Sequence, residues 1–282
     1  MIRYLLIFLS VMLLASCEDT NVFMMTEATT EAVVAITLSD EEVQDLARRS
    51  ALDLDSKHII APVGNTYDKR LQKLIAGHTQ RDGKSFDYKV YLANEVNAFA
   101  MADGTIRVYS GLMDLMNDEE LLFVIGHELG HVVKGHSRKK VVLAYATSAL
   151  RKGLASQDNQ VGQIASSVVG SFAEQLTHAQ FSQHEERQAD IYGAAFLQTE
   201  GYQISSAVSA LNKLAELARH HTFLSSHPDP EARAKMLLQG DEDEGEAQDS
   251  LFGKLVEEVK GLLVSLLYMI RSLFNWLLSL LL

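Results

Sequence analysis

The stretch His127-Glu128-Leu129-Gly130-His131 sets two imidazoles four residues apart with a carboxylate between them. On a helix, side chains at i and i+4 share one face about a turn apart, so both rings can reach a single divalent cation. The intervening Glu128 then lies close enough to take a proton from a water at that cation. The chemistry open to such a trio is hydrolysis by metal-activated water, and peptides are the substrates this spacing most often serves. A pair of structural histidines on a buried helix is the plain alternative. A third protein ligand separates the two readings.

Two patterns can supply that ligand. The metzincin continuation needs Gly three residues after the second histidine and His six after it; Lys134 and Ser137 stand there, with Gly135 and His136 out of register. The other pattern takes a carboxylate from a separate helix. Phe181-Ser182-Gln183-His184-Glu185-Glu186-Arg187-Gln188-Ala189-Asp190 provides one. Glu186 and Asp190, four apart, share a helix face, so Glu186 can complete the coordination while Asp190 accepts the free ring N–H of a ligand histidine. Glu185 points about 100° away from that face and reads as solvated. His136, His178 and His184 read as surface or supporting residues.

Together these segments resemble the gluzincin peptidases typified by HtpX and the CAAX prenyl protease, including the small LoiP-like periplasmic lipoprotein proteases of bacteria. Glu186-Arg187-Gln188-Ala189-Asp190 reproduces the Glu-x-x-Ala-Asp motif of that family. The block from Asn97 to Met113 is similar to the strand pair the family sets above its active-site helix, and His227-Pro228 with Arg233 is similar to its His-Pro…Arg element. The resemblance covers roughly residues 38–240. It implies a zincin-like α+β fold, predominantly α-helical with one small sheet, and one Zn2+ per chain held by His127, His131 and Glu186. Glu128 would be the general base, and Asp190 would orient a ligand histidine, with a proton-donor role in some accounts of the family. His227 is open between a gate that approaches the metal and a turn residue ahead of Pro228. Oxyanion stabilisation by His227 or Arg233 is likewise open.

These side chains need helices to carry them and strands to present a substrate. Apolar periodicity and start signals predict helices at about 39–54, 64–78 and 118–136, a helical region through 140–178, and helices near 184–200, 204–219 and 230–239. Phe86–Leu92 and Thr105–Tyr109, rich in β-branched and aromatic residues, read as strands. An edge strand at Asn97, Ala98, Phe99 and Ala100 can bind an extended polypeptide through main-chain groups, which implies unfolded or loop substrates. Ser148–Ser171, rich in Gly, Ala and Ser, is open between a flap over the cleft and a packed helical pair.

The 282 residues suit one catalytic domain with tails. Residues 1–16 read as a lipoprotein signal peptide, 17–37 as a tether, 38–240 as the peptidase domain, 241–250 as an acidic linker and 251–282 as a membrane-associating helix. Leu14-Ala15-Ser16-Cys17 resembles a lipobox, which makes Cys17 the lipid acceptor. Cys17 is also the single cysteine, so neither an internal disulfide nor a cysteine-based zinc site can form. Leu262–Leu282 is 21 nearly all apolar residues carrying one Arg271. Its Leu, Ile, Val and Phe favour insertion by about 4–8 kcal/mol, against about 3 for the arginine. Membrane contact is therefore expected, with spanning or lying on the bilayer left open. A net charge of −12 gives no basic footprint for nucleic acid.

The expected function is a zinc endopeptidase of unfolded, damaged or membrane-associated envelope proteins, facing the periplasm and lipid-anchored to an inner or outer membrane. The alternatives are a latent protease acting as a chaperone-like or scaffold protein, and a maturation protease with one membrane substrate. Oligomeric state is open.

Overall fold

A computed structural model describes residues 38–155, 172–217 and 222–239. The signal peptide, tether, Cys17, acidic linker and carboxy-terminal helix expected from the sequence lie outside the described residues, as do residues 156–171 of the expected flap. Among the described residues, no helix is long and apolar enough to cross a membrane.

The chain runs α1 Asp40–Lys57, α2 Thr66–Leu74, β1 Gln80–Arg81, β2 Lys84–Ser85, β3 Asp87–Tyr91, β4 Ala98–Ala100, β5 Thr105–Tyr109, α3 Ser110–Leu115 and α4 Asp118–Val133. There follow α5 His136–Ala155, α6 Phe172–His178, α7 Gln183–Thr199, α8 Ile204–Glu216, α9 Thr222–Ser226 and α10 Pro230–Gln239. The architecture is mostly helical with small sheets, as the sequence predicts.

The helix carrying both histidines starts where its residues demand. Asn117 accepts from the Glu120 N–H, and the Glu120 carboxylate accepts from the Asn117 N–H at 2.8 Å, a capping box that satisfies two otherwise orphaned donors. Glu120 is also held from α8 by Ser209 Oγ and Lys213 Nζ, both at 2.7 Å. Every residue of α4 from Glu120 to Val132 is buried, so this helix is the centre of the domain rather than an amphipathic surface element.

Gly135, at φ +81°, ends α4 and lets a new helix begin at His136. The sequence reading ran α4 on to 136 and the next helical region from 140. The single left-handed glycine accounts for the difference.

The strands form a three-stranded sheet in the order β3-β5-β4, with β3 parallel and β4 antiparallel to β5. All five residues of β5 are buried. Ile106, Val108 and Ala98 join the core around α4 and α7, whereas Tyr109, Tyr91 and Phe99 face the core built on α1, α5 and α6. Tyr109 N–H donates to Asn97 O and Met101 N–H to Thr105 O. By antiparallel alternation the peptide groups of Ala98 and Ala100 therefore aim away from β5, at the outer edge of the sheet, where Ser137 Oγ donates to Ala100 O at 3.4 Å. A second, two-stranded sheet, β1-β2, turns on Asp82 (φ 49°) and Gly83 (φ 74°), the dipeptide that favours a tight hairpin. The sequence reading had one sheet only.

Candidate metal centre

The site is built where α7 crosses α4 at close range. A Cβ on Gly193 would stand 2.9 Å from His127 N and 3.1 Å from Phe123 O, and one on Gly130 would stand 3.1 Å from Ala189 Cα. Small residues at both sides of the crossing bring the backbones together, so Glu186 and Asp190 on α7 reach the histidine face of α4. Ser182 starts α7 with another capping box, in which the Glu185 carboxylate accepts from the Ser182 N–H at 2.8 Å. Glu185 also pairs with Lys139 Nζ at 2.9 Å and is buried. The expectation of a solvated Glu185 is thus corrected: as the third residue of a capped helix it folds back onto the chain.

Four side chains converge: His127, His131, Glu186 and His227, all buried, each offering a ligand atom, with these atoms within 4.8 Å of one another. Bonds of about 2.0–2.2 Å to one ion impose a similar span. The ring tautomers follow from the hydrogen bonds around them. His127 Nδ1–H donates to Asp190 Oδ1 at 2.9 Å. His136 Nε2–H donates to Gln188 Oε1 at 2.9 Å, which leaves His136 Nδ1 to accept from His131 Nδ1–H at 3.1 Å. His127 and His131 consequently turn bare Nε2 lone pairs inward, 3.0 Å apart. Two lone pairs facing each other repel unless a cation lies between them, so the donor set fits a metal.

The charges around the nest support the same reading. Burial drives His131 well below the ordinary imidazole value, against the pull of Glu186, so the ring is neutral as a ligand must be. Burial raises Glu186 and Asp190, but Arg233 together with the neighbouring histidines outweighs it and both carboxyls end below their ordinary values. Arg233 Nε and Nη2 donate to Asp190, each at 2.7 Å, and Nη1 stands 2.5 Å from Glu186 Oε2. Nε and Nη2 are thereby committed to Asp190, whereas Nη1, though close to Glu186, makes no hydrogen bond. Glu128 is buried, and neither of its carboxylate oxygens has a hydrogen-bond partner.

His227, in the loop between α9 and α10, is buried with its Nδ1 2.9 Å from Glu186 Oε1 and 3.2 Å from His127 Nε2. Its Nε2 is 3.4 Å from Glu128 Oε1. Of the other histidines weighed from sequence, His178 is exposed and His184 half-buried. His136 supports His131, and Gln188, which sequence reasoning passed over, supports His136. The available signal was its place two residues past Glu186, but only the fold reveals the contact. Asn97, Ala98, Phe99 and Ala100 lie at the edge strand, which packs against α4.

A two-histidine helix crossed by a helix bearing Glu-x-x-Ala-Asp defines a gluzincin-type metallopeptidase. The chain belongs to peptidase family M48, whose model matches residues 65–240. It is 40% identical over 238 residues to Metalloprotease LoiP of Escherichia coli (strain K12), spanning 83% of this chain and 94% of that protein. It is 36% identical over 232 residues to Metalloprotease YcaL of the same strain, 80% of this chain and 91% of that protein. The Beta-barrel assembly-enhancing protease of that strain is 25% identical over 186 residues, 61% of this chain and 38% of that protein. The chain is accordingly a metalloendopeptidase.

Proposed function

We propose that the metal is zinc, held by His127, His131 and Glu186, and that the enzyme cleaves extended polypeptides with Glu128 as general base. The observation that carries this reading is the pair of inward lone pairs on His127 and His131, with Glu186 beside them and Glu128 buried and unpartnered. Zinc, when bound, supplies Lewis acidity: it lowers the pKa of a water to roughly 7 and polarises a carbonyl.

The chain's own residues do the rest. Glu128 takes the proton of the attacking water and later delivers it to the leaving amine nitrogen. Asp190 fixes the His127 ring, and His136 with Gln188 fixes the His131 ring, so neither ligand has to reorganise. Arg233 helps to hold Glu186 and Asp190 ionised, and its Nη1, which makes no hydrogen bond, leaves an oxyanion role open to it. A substrate added as a strand at the outer edge of β4 would pair with Ala98 and take the place of Ser137 Oγ at the Ala100 carbonyl, which selects unfolded segments over folded surfaces. Glu128→Gln is expected to abolish casein cleavage while zinc content, measured on the purified protein, stays near that of wild type. Substantial residual cleavage would refute the base assignment, and loss of zinc would reassign Glu128 to the ligand set.

The second reading, a latent protease with a chaperone-like role, draws support from His227, whose ring stands among the ligand atoms between Glu128 and Glu186. If His227 gates the site, His227→Ala raises casein cleavage severalfold; if it is a turn residue only, the rate is unchanged or falls.

An envelope address, periplasm-facing and lipid-anchored at Cys17, is supported by the lipobox-like Leu14-Ala15-Ser16-Cys17 and by similarity to a protease named for β-barrel assembly. The apolar stretch Leu262–Leu282 is proposed to add membrane contact. Cys17→Ser should remove the acyl mass and shift the protein out of the membrane fraction.

A further inference from the structure

Phe181 sits between the metal centre and a cavity of about 340 Å³. The His131 ring stacks on Phe181 with centroids 3.7 Å apart, and Lys140 Nζ stands 4.1 Å from the same Phe181 centroid. One face of a phenyl ring cannot hold both at those distances, so imidazole and ammonium lie on opposite faces. The cavity on the ammonium side has a mainly apolar wall that includes Leu143, Ala144, Ala179 and Phe181.

The charges lining this cavity do not cancel. Glu185 is matched by Lys139 at 2.9 Å and capped by Ser182. Lys140 has no carboxylate within ion-pair distance among the described residues; its one contact of this kind is with the Phe181 ring. Lys140 is half-buried, and burial pushes its ammonium down to about 8, opposed by the more distant Glu128, Glu186 and Glu185. A partly desolvated cation without a carboxylate, at the wall of an apolar cavity, is a receptor for an anion with an apolar stem. Two methylenes and a carboxylate meet that description.

We infer that this cavity is a side-chain subsite of the peptidase, which takes a glutamate next to the scissile bond and pairs its carboxylate with Lys140. The inference rests on the peptidase reading above. Its location fits: the cavity wall includes Phe181, the ring stacked on His131. The chain is acidic overall, at −12, so it is this local excess of positive charge, not the global field, that would select an acidic residue.

The test uses the full chain loaded with zinc. Casein digestion first identifies a cleaved sequence by mass spectrometry. Peptides of that sequence, acetylated and amidated to exclude terminal charges, then carry Glu, Gln, Leu or Lys at each residue flanking the scissile bond. At one flanking position, wild type is expected to favour Glu over Gln by about tenfold in kcat/KM, the factor a single charge-assisted hydrogen bond supports. Lys140→Met brings that ratio to about one, and Lys140→Glu inverts it in favour of Lys over Glu. Each ratio is taken within one variant, so partial misfolding does not imitate the result. Binding of the Glu and Gln peptides to Glu128→Gln reports the same preference without turnover. Equal wild-type rates for Glu and Gln, or an unchanged ratio in Lys140→Met, overturn the subsite and leave the peptidase standing. A zinc-loaded wild type that neither cleaves nor binds any of the peptides overturns both.

Discussion

Among the described residues, a charge cluster lies on each side of the sheet, one around Arg107 and one around Arg233, and their hydrogen bonding separates them. In the first, Asp55 on α1 meets Arg107 on β5 through Nε at 2.8 Å and Nη2 at 3.0 Å, and also accepts from Lys89 Nζ at 2.8 Å and Tyr91 OH at 2.7 Å. The remaining guanidinium donor reaches the carbonyls of Asp87 and Ile106, both at 2.9 Å. No buried side-chain atom of this cluster lacks a partner, so the cluster specifies how α1 docks on the sheet. The second cluster joins Arg233, Asp190 and Glu186 to the histidines, yet it leaves both oxygens of Glu128 unpartnered and turns two ring lone pairs on each other. Glu186 Oε2 and Arg233 Nη1 lack hydrogen-bond partners there too, and a buried polar network left incomplete around one centre is a receptor for whatever completes it.

The largest effect expected from breaking this contrast falls on the scaffold. Asp55→Ala strands Arg107, a side chain only 2% exposed, without its main counter-charge. Breaking a buried pair in this way costs about 3–5 kcal/mol. Urea unfolding should register that loss equally with and without zinc. A variant within about 1 kcal/mol of wild type would mean that Asp87 alone suffices for Arg107.

Next comes the helix crossing that assembles the receptor. Gly193→Ala puts a methyl 2.9 Å from the backbone nitrogen of His127, where rigid helix rather than a flexible side chain must yield. Overpacking of this kind costs about 1–3 kcal/mol, and it separates Glu186 from His131. Zinc affinity should therefore drop more than stability does. Unaltered zinc affinity in a destabilised Gly193→Ala would show that the crossing supports the core but not the ligand geometry.

The crossing also marks where sequence stopped being informative. The i, i+4 spacings of His127 with His131 and of Glu186 with Asp190 encode a shared face locally, so their geometry was legible before any fold. Helical angle alone sends Glu185 to solvent, whereas Ser182-Gln183-His184-Glu185 carries a capping-box signature that folds it back onto the chain. The support of His131 by His136 depends on one left-handed glycine, Gly135, and on a Gln188 partner 52 residues away, which no local pattern predicts. The β1-β2 hairpin is legible in Asp82-Gly83, a turn dipeptide that the expectation of a single sheet leaves out.

The two clusters should also separate by pH. His131 is held below its ordinary value in the folded chain, so beneath about pH 6.5 the unfolded chain binds a proton the folded chain refuses. Metal-free protein should lose stability as pH falls from about 6.5 towards 5, by up to about 1.4 kcal/mol per unit from this one ring. Asp55 is depressed by Arg107, Lys89 and Tyr91 in spite of burial, so its contribution is complete above about pH 4 and is lost only as pH falls further, through its lowered value. Thermal unfolding of the chelated protein at pH 7, 6 and 5 measures the first window. A His131→Gln variant with the same slope as wild type would remove that ring as the cause.

The smallest effect is the most discriminating. Glu186→Gln deletes one of two carboxylates facing Arg233 and leaves the guanidinium paired with Asp190 through Nε and Nη2. In the metal-free protein a buried negative charge has been replaced by a neutral amide of the same shape, so the change in unfolding free energy should stay within about 1 kcal/mol. The same variant should lose nearly all of the extra stability that zinc confers on wild type, since binding linked to the folded state stabilises only in proportion to affinity. Unfolding curves with excess zinc and with chelator, for wild type and Glu186→Gln, give the four values needed. If Glu186→Gln instead destabilised the metal-free protein as much as Asp55→Ala does, the two clusters would be the same kind of object, and the incompleteness at Glu128 would be no guide to function.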